Sequence, residues 1–250
     1  MVRGMYIAGT GMLLQRRLME NITNNITNAD TTGYKKEHLV SHSFDDVMIE
    51  RIKDTNIVGW TRVTGPLNFG TQIDQLYVNF EQGSLEGTGR STDLALIGDV
   101  FFVMQTPEGE RYTRSGAFYI DDQGYLVDGE GNFLLGENGP VYAGGLNFTV
   151  DGLGGVWIEG EYADRIRVVS FEDNDALRKQ GSNLYFSQAN PVEAQPYSMR
   201  QGFLETSNVD ISREMVDMLT VYRTYETNQR MLTMIDETIG KAVNEIGRLR

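Results

Sequence analysis

The last fifty residues contain no proline, and this constrains the chain more than any other feature. The last proline is Pro196. From Ser207-Asn208 onward nothing stops a helix of about 40 residues, or ~60 Å at 1.5 Å per residue. Along it Ile211, Met215, Met218, Tyr222, Tyr225, Leu232, Ile239, Val243 and Ile246 recur at steps of three and four, broken by Gln229 and Asp236. That spacing predicts a heptad-like apolar stripe. Ser207 and Asn208, just before Val209, offer caps. A second apolar set (Val216, Leu219, Met231, Met234 and Ile235) lies off the stripe. Helices much beyond ~25 residues suggest coiled coils or assembly elements. One stripe can bury within the chain; the second then needs another surface, most simply a neighbouring molecule.

The N-terminus carries a matching pattern. Met1, Met5, Ala8, Met12, Met19, Ile22 and Ile26 alternate at steps of four and three, with Gln15 as the polar break. This helix should stop near Asn28–Asp30, before the turn-forming Thr31-Thr32-Gly33. If both helices meet one partner face, topology makes them antiparallel. Met5, Met12, Met19 and Ile22 then face Met218, Tyr222, Tyr225 and Leu232, and the longer helix overhangs. The bland alternative folds both helices back onto the core of the middle region.

Between the ends the composition changes. Residues 71–160 carry a net charge of -11 and 17 of the 28 glycines. Alternating segments such as Leu76–Phe80, Ala117–Ile120 and Tyr125–Val127 are separated by turn signals at Gly109, Gly124, Gly129 and Gly139. This is the rhythm of an antiparallel sandwich or barrel. Glu37 to Ile52 reads as either helical or extended, and 53–70 as loop. The expected fold class is mainly β with α-helical termini. Residues 1–35 and 205–250 form a discontinuous helical assembly domain, 36–70 a connecting segment, and 71–204 the central acidic β-domain.

A formal net charge of -13 argues against nucleic acid, whose phosphates need a basic footprint. No run reaches the ~18 apolar residues of a membrane span, so no membrane insertion is expected. Arg16 and Arg17 stand where a signal-peptide cleavage site would be, so no cleaved signal is expected either. With no cysteine, disulfides and thiolate chemistry are excluded. His38 and His42 are the only histidines; their spacing of four suits a zinc pair on one helix face but is undemanding. Asp128, Glu130 and Asn132 suggest a calcium loop, but Phe133 occupies the position that requires glycine. Hairpin turns account for them better. No catalytic site, cofactor or metal is expected.

Three separated motifs carry a resemblance. Asn24-Asn25-Ile26-Thr27-Asn28-Ala29-Asp30-Thr31-Thr32-Gly33-Tyr34-Lys35 resembles the N-terminal motif of bacterial flagellar rod and hook proteins. Gln201-Gly202-Phe203-Leu204-Glu205-Thr206-Ser207-Asn208-Val209-Asp210 resembles their C-terminal motif, and Arg111-Tyr112-Thr113-Arg114-Ser115-Gly116 the rod-type middle. Ile26-Thr27 and Asp99-Val100 depart from the usual pattern. The length is similar to rod rather than hook subunits, of proximal or distal type. The resemblance implies a structural subunit of the basal-body rod, a helical tubular axle carrying torque from motor to hook. It implies as partners the protein itself, other rod and hook proteins, and the flagellar type III export apparatus. It places the subunit-interface residues on the two stripes, from Met5 to Ile26 and from Ile211 to Ile239. The alternative is an acidic β-domain enzyme or carbohydrate-binding module with helical dimerisation arms.

Overall fold

A computed structural model describes residues 2–51, 62–181, 183–187, 189–193 and 196–246. Helix α1 spans Val2–Thr27 and helix α2 spans Ile211–Ile246, with antiparallel β-structure between them. The fold class is the one expected. The chain divides into two compact units, residues 1–24, 37–77 and 211–250, and residues 25–36 and 78–210.

In the first unit the two helices pack antiparallel. A Cβ on Gly4 would lie 3.2 Å from the Ile235 side chain, and one on Gly11 would lie 3.0 Å from Asn228. Seven residues forward on α1 is seven residues back on α2. The stripe on α1 faces inward, with Ile22 buried and Met5, Met12, Met19 and Ile26 half-buried. On α2 the covered row is Glu214, Met218, Val221, Tyr225, Asn228, Leu232, Ile235, Ile239 and Ala242. Its steps alternate four and three, as a heptad seam requires. Met218, Tyr225, Leu232 and Ile239 belong to it, as the stripe predicts. Ile211, Met215 and Tyr222 are exposed instead, because the seam's alternate members are one position earlier. Tyr222 therefore lies outside the covered row.

Residues 36–70 do more than connect. Glu37–Ser43 pairs with Thr71–Val78, and Val47–Arg51 pairs antiparallel with Arg62–Leu67. These strands belong to the helical unit, so residues 37–77 do not divide at residue 70 as the sequence suggests. The part of the expected loop at 53–61 lies outside the described residues, as do Met1 and the side chain of Ile246.

The second unit is built around the strand Phe101–Thr106. It pairs with Gly109–Thr113, Phe133–Leu134 and Val168–Ser170. Its residues alternate between two cores. Phe102 and Met104 pack with Leu94, Leu96, Phe118, Leu126 and Ile166; Phe101 and Val103 pack with Tyr112, Val169 and Tyr185. A strand buried on both faces reads as a continuous apolar run, as Phe-Phe-Val-Met does.

Three loops of this unit share one design, Asp-x-x-Gly-x. The carboxylates of Asp121, Asp128 and Asp151 each accept N–H bonds from the second and fourth residues on, at 2.8 to 3.0 Å. The fourth position is Gly124, Gly131 or Gly154, at φ of 88°, 84° and 82°. Only glycine takes that conformation without cost. The Asp128 carboxylate of the suspected calcium loop thus accepts backbone N–H groups, and the left-handed turn residue there is Gly131, not Gly129.

The buried tie between the motifs and the uncovered helix face

The motif residues converge in the second unit. After α1, Gly33 turns the chain at φ 69°, and its N–H donates to the Glu205 carbonyl at 2.8 Å. A side chain there would put Cβ 2.5 Å from the Ser115 backbone. The next residue, Tyr34, is buried and donates its hydroxyl to the buried Asn25 at 3.1 Å. Lys35 then enters the interior. Its ammonium donates to Glu205 Oε1 at 2.5 Å and to the Glu81 carbonyl at 2.7 Å. Across the same carboxylate, Arg114 Nε stands 3.3 Å from Glu205 Oε2, while Arg114 Nη1 donates to the Gly98 carbonyl at 2.6 Å. The Gly83 N–H donates to the same Oε1 at 2.9 Å.

The side chains of Lys35, Glu205 and Arg114 are 0%, 1% and 2% exposed. Burial pulls the Lys35 ammonium below its usual pKa, while the charge and hydrogen bond of Glu205 pull it back. Arg114 is lowered by burial in the same way and supported by Glu205 and Asp99. Two cations share one acid, and each motif supplies one member of the triad.

Asn208 makes the second tie. Its Oδ1 accepts the Lys36 N–H at 2.7 Å, and its Nδ2 donates to the carbonyls of Asn79 at 2.9 Å and Glu81 at 3.1 Å. Asn208 therefore does not cap α2. It holds three passes of the chain together near residues 36, 79 and 208. Ser207 Oγ accepts the Val209 N–H at 3.3 Å, which tightens the turn before α2. Of the other motif residues, Thr32 lies 3.4 Å from the Ser115 hydroxyl. Asn28 accepts from the Thr31 hydroxyl at 3.3 Å, and Asn24 donates to Glu37 at 3.5 Å. Val209 is half-buried and Asp210 exposed. Glu205 and Arg114 were not among the expected site residues. The available signal was a charged residue within each motif.

The uncovered face of α2 is the other candidate site. Met215, Leu219 and Tyr222 are 53%, 58% and 50% exposed, and Ile211, Val216, Met231, Met234 and Val243 are exposed beside them. Elsewhere in the same unit a cleft of about 560 Å³ is lined by Arg3, Tyr6, Phe44, Asp45, Val47 and Phe69. In the second unit a polar cleft of about 610 Å³ includes Glu137, Arg165, Arg167 and Tyr197. Its charges are paired, Arg165 with Glu137 at 3.8 Å and Arg167 with Glu110 at 2.8 Å. His38 and His42 sit on one strand, about 13 Å apart at 3.3 Å per residue, too far to share an ion. Among the described residues no group of three or more His, Asp or Glu is placed to hold a metal.

Comparison with known proteins gives matches in all three motif regions. Residues 5–35 match the family described as Flagella basal body rod protein. Residues 95–160 match the Flagellar hook protein FlgE/F/G D1 domain, and 200–245 the Flagellar basal body rod FlgEFG protein C-terminal family. The chain is 32% identical to the flagellar hook-basal body complex protein FlhO of Bacillus subtilis, over 100% of both chains. It is 31% identical to the basal-body rod protein FlgG of the same organism, covering 98% of this chain and 99% of that one. It is 30% identical to the basal-body rod protein FlgF of Caulobacter vibrioides, over 100% of both.

Proposed function

Because the chain belongs to the flagellar basal-body rod protein family, we propose that it works as a self-assembling structural subunit of the rod. In this reading the exposed face of the helical unit makes the contacts of the polymer. The finished tube carries torque from motor to hook and turns over no substrate. Partners are further copies of the chain and other rod and hook proteins. Delivery is by the flagellar type III apparatus, without a cleaved signal.

The observation that carries the reading is the apolar row Met215, Leu219 and Tyr222, half exposed on a helix whose opposite face is already covered. A contiguous apolar face of this kind marks an interaction site on a folded protein. Nothing comparable supports the enzyme or carbohydrate-binding alternative. The test is sedimentation velocity with negative-stain microscopy at rising protein concentration, together with detection of the protein in purified basal bodies. Rods or filaments that vanish in a Leu219→Asp variant, with the circular-dichroism spectrum unchanged, are expected. A protein that stays monomeric at every concentration and is absent from basal bodies would overturn the proposal.

A further inference from the structure

Among the described residues, the helical unit carries two exposed apolar features of opposite shape. One is convex: Met215, Leu219 and Tyr222 follow the i, i+4, i+7 spacing of a ridge on α2, the pattern of a helix that lies in a groove. The other is the concave cleft of about 560 Å³ walled by Tyr6, Phe44, Val47 and Phe69. That volume falls within the ~300–1,000 Å³ of clefts that take up ligand-sized groups. Val47 is 50% exposed and Tyr6 54%. The polar groups match as well. Arg3 and Asp45 line the cleft, and Arg223 and Glu226 follow the ridge within the next helical turn.

Their placement excludes an internal contact. The cleft uses the first turns of α1, and Gly4 there meets Ile235 of α2. The ridge is centred near residue 218, about 25 Å nearer the start of α2 at 1.5 Å per residue. Ridge and cleft thus lie toward opposite ends of one helical hairpin. A self-complementary contact closes as a dimer, whereas a contact between two different patches leaves one of each free and propagates.

Resting on the rod reading, we propose that the Met215–Leu219–Tyr222 ridge of one copy seats in the Tyr6–Phe44–Val47–Phe69 cleft of the next. Arg3 then faces Glu226 and Asp45 faces Arg223 across the contact. The occupant of the cleft is a second copy of this chain, and the contact is head-to-tail.

The absence of cysteine allows a direct test on the full-length chain. Val47→Cys and Leu219→Cys are made singly and together, then treated with a short bis-maleimide under assembling conditions. The double variant should give a ladder of dimer, trimer and higher species on a denaturing gel, and each single variant should remain monomeric. Arg3→Glu should raise the concentration needed for assembly about tenfold, and Glu226→Arg in the same chain should restore it. Dimers from Leu219→Cys alone would show ridge against ridge and overturn the proposal. So would polymers that form normally but give no cross-link in the double variant; the rod reading would survive that result. A chain that forms nothing larger than a monomer in any arm would overturn both.

Discussion

Removing the negative charge of Glu205 should damage the protein more than removing either cation it holds. Glu205→Gln keeps the shape and the bond from the Gly83 N–H, but leaves Lys35 and Arg114 buried with no acid between them. Breaking a buried ion pair by neutralising one partner costs about 3–5 kcal/mol. For a chain of this size that lowers Tm by ~6–20 °C, at 2–4 °C per kcal/mol. Lys35→Met instead leaves a balanced Arg114–Glu205 pair. The carbonyl of Glu81 loses its lysine but keeps the Asn208 amide at 3.1 Å. The cost should be ~1–3 kcal/mol, that of lost hydrogen bonds. Urea unfolding followed by near-UV circular dichroism measures both. The pH dependence gives a second readout. The folded pKa of Lys35 lies below its ordinary 10.5. Between those two values the unfolded chain binds more protons, so the group's contribution to stability rises with pH. The deficit of Lys35→Met against the parent should therefore widen as pH climbs toward about 10. A Lys35→Met loss equal to or larger than that of Glu205→Gln would refute the view of two cations sharing one acid.

Gly33→Ala meets both a left-handed φ and the Ser115 backbone, so it should abolish soluble expression. Gly131→Ala has the φ but open space and should cost only about 1–2 kcal/mol, as thermal denaturation would show. Gly11→Leu intrudes on Asn228 and should part the two helices; loss of hydrogen-exchange protection along α2 but not in residues 94–104 is the expected result. The Asp151 carboxyl is subject to a burial effect that would raise its pKa, yet the N–H bonds of Gly155 and Leu153, with Trp157 and Arg165, hold it below 3.8. Its contribution is complete above that value and lost as pH falls through the lower folded value. Asp151→Ala should therefore be the less stable protein at pH 7 and match the parent in strong acid, as measured by urea midpoints.

The two terminal helices were legible because apolar residues recur at heptad spacing over many turns. At alternate positions of the α2 seam, Glu214 and Ala242 are less apolar than Met215 and Val243 one residue later, so hydropathy there favours the outer row. At Val221 and Ile235 the seam residue is more apolar than Tyr222 and Asp236, and the sequence points to the covered row. The strand Glu37–Ser43 was ambiguous because Glu-His-Leu-Val-Ser-His-Ser shows neither period clearly, and its observed exposure does not alternate either. The triad was invisible for a different reason. Its members are fixed by tertiary closure over a separation of 170 residues, which no local pattern encodes. The three Asp-x-x-Gly loops were open to reading, since the same side-chain chemistry repeats at 121, 128 and 151.

The 170-residue separation of Lys35 from Glu205 also acts as a clock. Synthesis delivers the N-terminus first at ~5–20 residues per second, so Lys35 waits about 10–30 s for its acid to emerge. Closing so distant a pair is slow in any case, because the loop entropy is lost before the contact forms. During that interval the β-unit lacks its central tie and the chain remains open to whatever carries it. Residues 211–222 emerge only after Glu205. The order of delivery therefore puts both members of the tie in the chain before the exposed face of α2, which follows within about 0.3–3 s at the same rate.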